Sequence, residues 1–481
     1  MKLRELLVGI DVISATADLD MEVSGICCDT RKLQPGDLFV AVVGYVTDGN
    51  RFIPKAKELG ASVVVSAQPC KEDIPSVLVR SDRLALARLG TNFYGHPADS
   101  MQIIGVTGTN GKTTVSCWLK HILEVATGKK VGLIGTMENY IGKEVIPTER
   151  TTPESLDLQR LFARMRDAGC AYVVMEVSSQ GISLNRTDGV EFEVGGFTNL
   201  TEDHLDFHKT MEAYGEVKAS MFHHCKKAVV NADDEWVDMM VSACSGNVLT
   251  TSYGKEADLR AENVDYHAAG IRYTAVYGDQ KAEVEVSTPG RFSVYNSLTA
   301  LGLAMQLGVS LEDGAKALKT VKPLKGRVEV IPTPGKPYTM IIDYAHTPDG
   351  LENILSTLKP FCKGRLISVF GGAGDRDPMK RPIMGKIATD IADLVVLTSD
   401  SPRTEDPKKI IREVLVGMDK GNYVVVENRA DAIRYAMDIG QKDDIIVMTG
   451  RGHENYLEMP GGKIYFEERE VIRQHLLEME K

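Results

Sequence analysis

Within ten residues, Gly105-Val106-Thr107-Gly108-Thr109-Asn110-Gly111-Lys112-Thr113-Thr114 gathers the parts needed to hold a polyphosphate. Glycines let backbone N–H groups approach an oxyanion closely, Lys112 offers a point charge to β- and γ-phosphates, and Thr113 offers a hydroxyl to Mg²⁺. Five residues rather than four separate Gly105 from Gly111, so the strict spacing G-x-x-x-x-G-K-[ST] is not met. The signature that remains is the shorter Gly108–Thr113 run. A glycine-rich turn with a surface lysine would explain the loop but not its flanks. Met101–Val106 reads as a buried strand, and Val115, Trp118, Leu119, Ile122, Leu123 and Ala126 share one helical face, giving strand, loop, helix.

Other residues could work on what that loop holds. The apolar run Ala171–Met175 predicts a strand that delivers Glu176 at its end, where carboxylates beside a phosphate loop bind Mg²⁺. The stretch Phe197–His208 sets Glu202, Asp203, His204, Asp206 and His208 just beyond another apolar run, which favours a working role for His204 over a structural one. Lys218, on a predicted helix around Tyr214–Phe222, reads by itself as a solvated lysine. Near the N-terminus, Asp29-Thr30-Arg31 combines a hydroxyl with a guanidinium suited to phosphate, and the polar loop Gly44–Asn50 could also bind a ligand, although ordinary turns use the same residues. Thr151 or Thr152 is expected to cap the helix carrying Leu156, Leu158, Leu161, Phe162 and Met165.

The elements that must position these groups follow from length and periodicity. At 481 residues the chain exceeds one ordinary core, and ~150 residues per domain predicts about three. The boundaries expected are 1–98, 99–330 and 331–481, the last set by the Pro/Gly-rich segment Ile331–Pro337, read as a linker. Beyond it, strands and helices alternate from Met340 to Met448, which predicts a parallel sheet covered on both faces. The loops after its strands hold Asp343–Asp349, Gly371–Asp377, Ser399–Arg403 and Gly450–Glu454. Ligands collect at the carboxyl ends of such strands, and tight turns would explain the glycines there but not Arg376, Arg403 or Glu454. The fold class expected is α/β in three domains: a smaller N-terminal α/β domain, a central P-loop parallel-sheet ATPase domain and a C-terminal Rossmann-like domain.

Composition narrows the partners. A formal charge of −11 argues against broad nucleic-acid or membrane-surface binding. No apolar run approaches the ~20 residues that span a bilayer. Glu5 and Asp11 stand where a signal peptide needs an uncharged core, so a cytoplasmic protein is expected; a monomer is expected as its assembly, although no residue pattern fixes it. Eight scattered cysteines without a C-x-x-C pair read as reduced, packed thiols.

Gly108–Thr113, Met175-Glu176-Val177-Ser178-Ser179, Thr198–Asp206, Asp343–Pro348 and Gly450–Glu454 together resemble the ATP-dependent Mur ligases of peptidoglycan precursor synthesis over nearly the whole chain. Within them the chain is similar to the branch that adds the third peptide residue. The resemblance implies a first domain for the uridine nucleotide, a central domain for ATP and a last domain that closes over both with the incoming amino acid. It implies ATP contacts from Gly108, Thr109, Asn110, Gly111, Lys112, Thr113 and Thr114, with Asn296, Arg327 and Asp343 near adenine, phosphates and ribose. Thr30 and the loop after Gly44 would meet UDP-MurNAc-L-Ala-D-Glu at its nucleotide, and Thr151, Thr152, Ser178 and Arg186 at its peptide. Thr113, Glu176 and His204 would lie near Mg²⁺, and Lys218 matches a carbamylated lysine that binds metal, a role its sequence context does not reveal. Lys112, Glu176, His204 and Lys218 would be the catalytic set.

The acceptor is implied by Asp400-Ser401-Pro402-Arg403. Relatives using meso-diaminopimelate usually carry Asp-Asn-Pro-Arg, whose arginine grips the second carboxylate that lysine lacks; Arg376 stands as a second contact, and Gly450 and Glu454 match positions holding the far amino-acid head. Arg403 favours diaminopimelate, and Ser401 in place of asparagine keeps L-lysine as the alternative. Folylpolyglutamate synthase shares the loop type but not the Asp29-Thr30-Arg31 domain. A P-loop ATPase acting as a nucleotide-dependent switch is the reading from another class; it would not need four residue-rich loops in the last domain.

Overall fold

A strand that ends in a phosphate loop must be flanked by strands ending at the same height if other groups are to reach its ligand. In the computed structural model, which describes residues 1–44, 47–267 and 270–479, Gln102–Thr107 is such a strand. It pairs in parallel with Tyr172–Glu176 on one side and Val194–Phe197 on the other, with Glu176 opposite Val106 and Phe197 opposite Thr107. These strands are inside an eleven-stranded sheet whose outer strands, from Leu259–His267 to Gln280–Val286, run antiparallel. The helix Lys112–Thr127 covers one face, with Val115, Trp118, Leu119, Ile122 and Leu123 each at most 1% exposed. Full burial of such side chains contributes roughly 1.5–3 kcal/mol each, enough to fix the helix that opens at Lys112. Ala126, expected on that face, is exposed, because the last turn runs past the sheet to Gly128, whose left-handed backbone ends the helix.

Residues before this unit form a five-stranded sheet in which Val12–Ala15 runs antiparallel to Ser76–Val79 and the other neighbours are parallel. Residues after it form a six-stranded sheet in the order Glu329–Ile331, Thr339–Ile342, Ile445–Met448, Leu366–Phe370, Leu394–Leu397, Tyr423–Val425. The last core strand, Ile445–Met448, inserts between the two earliest parallel strands, so the loops after Ile342, Phe370, Leu397 and Met448 crowd one edge of the sheet. That edge is a topological switch point. The architecture is α/β with largely parallel sheets, as the alternation predicts.

Two expectations are corrected here. The segment Ile331–Pro337 is a hairpin turn and not a linker: Glu329–Ile331 pairs antiparallel with Thr339–Ile342, so the chain has entered the last sheet before the prolines. Pro and Gly serve turns as readily as linkers, and composition alone does not separate the two. Nor do Thr151 and Thr152 cap the helix Ser155–Asp167, whose N-cap position is Glu154 without a side-chain bond. Pro153 turns the chain so that Thr152, fully buried, instead donates to Glu176 O at 3.0 Å.

Candidate active site

The phosphate loop is shaped by close approach. A Cβ on Gly108 would lie 1.9 Å from Thr198 Oγ1, and one on Gly111 2.4 Å from Asn296 Oδ1; both glycines hold positive φ, so neither position admits a side chain. Asn296 comes from the helix Arg291–Gln306, which thereby clamps the loop from outside. Thr198 Oγ1 donates to Asn110 O at 2.6 Å, and Asn199 Oδ1 accepts from Asn110 N at 2.9 Å, tying the loop to the strand end beside it.

Lys112 Nζ donates to Gly108 O and Thr109 O at 2.8 and 2.9 Å, curled over its own loop. Burial pushes its ammonium below the usual lysine range, Glu176 and Asp203 oppose that, and Arg327 adds to it. Lys218 is corrected from a solvated lysine to one only 1% exposed, donating to Gly108 O from the other side at 2.9 Å. Burial first, and the Lys112 charge second, hold it well below the ordinary value, so its amine is pushed towards the neutral, nucleophilic form. Helical periodicity on Met211–Ser220 did not reveal this, because Gly215 and Lys218 face inward with Tyr214 and Ala219.

Glu176 is held by three bonds. Its Oε2 accepts from Thr113 Oγ1 at 3.0 Å and Thr136 Oγ1 at 2.9 Å, and its Oε1 from Thr136 N at 2.9 Å. A hydroxyl beside a carboxylate, facing a phosphate loop, matches the small protein share of an Mg²⁺ site, which keeps its remaining positions for phosphate and water. Among the described residues no group of three or more His, Cys, Asp or Glu is placed to hold a metal ion. Arg327 lies 4.7 Å over the Tyr344 ring, reaches Thr113 Oγ1 at 3.4 Å and leaves its buried Nε without a partner among the described residues. Asp343 accepts from the Val328 and Ala345 amides at 2.8 Å each, while burial pushes its carboxyl up against the pull of Arg327.

These groups open on one cavity of about 450 Å³. Its wall carries Thr109 to Thr114, Glu176, His204, Asn296, Arg327 and Asp343 at one end. Thr151, Thr152, Ser178 and Arg186 line a second part, with Thr152 and Ser178 hydroxyls 3.1 Å apart and Arg186 Nε 2.6 Å from Glu154 Oε1. Arg376, Asp400, Ser401, Arg403, Gly450 and Glu454 line the third. Gly108 and Lys218 stand one bond behind the wall, and buried Pro402 sits against Gly374. Thr30, on the turn after Ile26–Cys27, does not line this cavity; in the loop after Gly44, Tyr45 and Val46 lie outside the described residues.

Arg451 is 1% exposed and bonds Asp400 Oδ1 at 2.7 Å and Ser401 Oγ at 2.9 Å, with Glu454 Oε2 3.0 Å away. Against the upward push of burial, Arg429 and then Arg451 hold the Asp400 carboxyl below its usual range. Burial raises that of Glu454 despite Arg451. The last and central units also touch directly, Asn110 Nδ2 donating to Asp349 Oδ2 at 2.7 Å and Lys380 Nζ standing 3.8 Å from Asp203 Oδ1.

Three sequence profiles cover most of the chain: the Mur ligase family catalytic domain over 22–98, the Mur ligase middle domain over 106–304, and the Mur ligase glutamate ligase domain over 326–452. The chain belongs to the Mur ligase family. It is similar to the UDP-N-acetylmuramoyl-L-alanyl-D-glutamate--2,6-diaminopimelate ligase of Clostridium botulinum, 46% identical over 95% of this chain and 96% of that one. The corresponding ligase of Caldanaerobacter subterraneus is 45% identical over the full length of both. A solved structure of a ligase with the same specificity covers 100% of this chain and 99% of its own at a TM-score of 0.71 and 31% identity.

For a Mur ligase, this cavity uses several residues that spacing did not flag. Thr136 lies after a strand that offers no motif, yet it supplies two of the bonds to Glu176. Lys380, only 9% exposed, opens the helix Lys380–Ile391 and resembles any helical lysine in sequence. Tyr344 was visible inside Asp343–Asp349, but its ring contacts, 4.7 Å to His346 and 5.1 Å to His453, required the fold.

Those two histidines set a pH dependence. Burial, then Lys380 against the opposing pull of Asp203, lowers His346 from 6.5 to about 4. Burial, then Arg327 and other cations, lowers His453 to about 3. Between these values and 6.5 the unfolded chain binds more protons than the folded one, so stability is complete above 6.5 and is lost as pH falls through the window. Thermal melts should therefore show Tm falling as pH is lowered from 6.5 towards about 4. A flat Tm across that range would contradict the burial of both rings.

Proposed function

We propose that the protein is an ATP-dependent amide ligase of peptidoglycan precursor synthesis, which adds meso-diaminopimelate to the D-glutamate side-chain carboxylate of UDP-MurNAc-L-Ala-D-Glu. The observation that carries this reading is the shared cavity: a phosphate loop, a hydroxyl-lined peptide wall and an arginine–carboxylate cage face the same space. A switch ATPase has no use for the third of these. The names of the relatives support the same acceptor and peptide.

A carboxylate is a poor electrophile, so ATP is consumed as a substrate. Its γ-phosphoryl group passes to the glutamate carboxylate, giving an acyl phosphate and ADP; the acceptor amine then attacks the acyl carbon, phosphate leaves, and the amine gives up a proton. Lys112 turns from its loop carbonyls to the transferring group, and Arg327, poised beside Thr113, meets the phosphates with its free Nε. Thr113 and Glu176, with His204 and a carbamate on Lys218, are the groups we assign to Mg²⁺, which when bound neutralises phosphate charge. Thr152, Ser178 and Arg186 orient the muramoyl-peptide. Asp400, Arg403, Arg376, Gly450 and Glu454 hold the far head of the acceptor so that its near amine faces the acyl phosphate. Lys380–Asp203 and Asn110–Asp349 draw the two units together, which excludes water from an intermediate it would hydrolyse.

The test is phosphate release by the purified protein with ATP, Mg²⁺ and UDP-MurNAc-L-Ala-D-Glu, with diaminopimelate, L-lysine or no amino acid. Release should require the amino acid and favour diaminopimelate. Release indifferent to it would leave only the ATPase, and a preference for lysine would remove the role given to Arg403.

A further inference from the structure

Arg403 lines the cavity but already has partners within the chain. Its Nε donates to Glu458 Oε2 at 2.5 Å and its Nη1 to Gly374 O at 2.5 Å. Glu458 lies on Tyr456–Met459, the first strand of a short antiparallel hairpin closed by Gly462–Tyr465. That hairpin is fastened to the Arg403 loop by its main chain: Arg403 N donates to Glu458 O at 2.9 Å, and Glu458 N to Ser401 Oγ at 3.0 Å. Ser401, the residue that departs from the asparagine of the usual motif, therefore seats the strand that carries Glu458.

We propose that Glu458 is a specificity-determining residue, an internal carboxylate that occupies Arg403 and competes there with the second carboxylate of the acceptor. The inference rests on the ligase reading above and concerns how that ligase ranks its acceptors. Arg451 is matched by Asp400 and Glu454 and Arg381 by Glu405 and Glu413, so among the described residues of this part of the wall Arg403 and the exposed Arg376 are the cations left to meet a substrate carboxylate. With Glu458 in place, Arg403, a half-buried charge, is not left without an anionic partner when the acceptor lacks a second carboxylate. The penalty that would reject a monocarboxylate diamino acid such as L-lysine is thereby reduced. Diaminopimelate must instead displace Glu458 from the guanidinium.

The geometry provides for that displacement. The Glu458 side chain is 30% exposed, and Lys463 Nζ, 3.8 Å from its Oε1, offers it a second partner on the same hairpin. Burial pushes the Glu458 carboxyl up, but Arg403, then Lys463 and Arg376, hold it below its usual range, so it is present as the anion. Arg403 itself does not depend on the carboxylate for its place. Its amide is held by Glu458 O and its guanidinium by Gly374 O, both main-chain acceptors that survive a side-chain change.

The sign of the effect follows. Glu458→Gln should lower the KM for diaminopimelate by about twofold to fivefold, the range of a partly exposed ion pair, and raise the ratio of kcat/KM for diaminopimelate over lysine. The KM values for ATP and UDP-MurNAc-L-Ala-D-Glu should stay where they are. Glu458→Asp keeps the charge on a shorter stem and should keep a diaminopimelate KM closer to that of the original chain. An unchanged diaminopimelate KM in Glu458→Gln would overturn the proposal. So would a rise in KM for all three substrates together, the mark of a brace that only holds the loop. If the original chain releases phosphate without regard to any amino acid, the ligase reading itself has failed; if it ligates normally and only the Glu458→Gln comparison fails, the competition alone is refuted.

Discussion

Lys112→Met lowers kcat by about 10²–10³-fold while leaving the thermal midpoint close to that of the original chain. The magnitude is that of losing one preorganised charge aimed at a developing oxyanion, roughly 3–4 kcal/mol of transition-state stabilisation. Methionine keeps the unbranched stem that packs against the loop, so what is lost is the ammonium. That ammonium donates to Gly108 O and Thr109 O on its own loop, and it is destabilised by burial. A triphosphate would offset that cost by supplying anions, so Lys112 is worth more to turnover than to stability. Steady-state kinetics beside a thermal melt separate the two contributions. A kcat within about threefold of the original would refute the assignment of Lys112 to the transferring group.

Lys218→Ala is expected to be nearly as damaging to turnover, by about 10²-fold, but with a cost in stability as well. The buried amine donates to Gly108 O alongside Lys112 Nζ, and truncation removes one of that carbonyl's two donors, which costs about 0.5–1.5 kcal/mol before any cavity is counted. The chemical reason for a larger role is the position of its proton equilibrium. An amine pushed down by burial and by the Lys112 charge is available to add carbon dioxide, and the resulting carbamate turns a cation beside the loop into an anion able to bind Mg²⁺. Incubation with isotopically labelled bicarbonate should give a carbamate resonance in the original chain that Lys218→Ala lacks. No such resonance in active protein would leave Lys218 as a neutral hydrogen-bond donor to the loop and nothing more.

The two lysines mark the limit of local reading. Lys112 was legible because its neighbours repeat a phosphate-binding pattern whose chemistry is local: glycines, a cation and a hydroxyl within one turn of chain. Lys218 is on a helix where a lysine is ordinarily solvated, and only the packing of Met211–Ser220 against the loop buries it. Likewise Ile331–Pro337 has the composition of a linker, and only strand pairing across it made it a turn. The threonines before Ser155 have cap chemistry, yet Pro153 and the proximity of Glu176 gave Thr152 a different partner.

By itself the sequence determined the α/β alternation, the loop at Gly108–Thr113, the placement of Glu176 at a strand end, and the run Asp400-Ser401-Pro402-Arg403, because each depends on residue type and short-range periodicity. What it could not determine were relations between residues far apart in the chain. Arg451 beneath Asp400, Lys380 against Asp203 and Glu458 on Arg403 come from strand order and from the approach of separate sheets. Folding brings together groups that the chain holds far apart, so the partner of Arg403 is a carboxylate 55 residues away that no local motif connects to it.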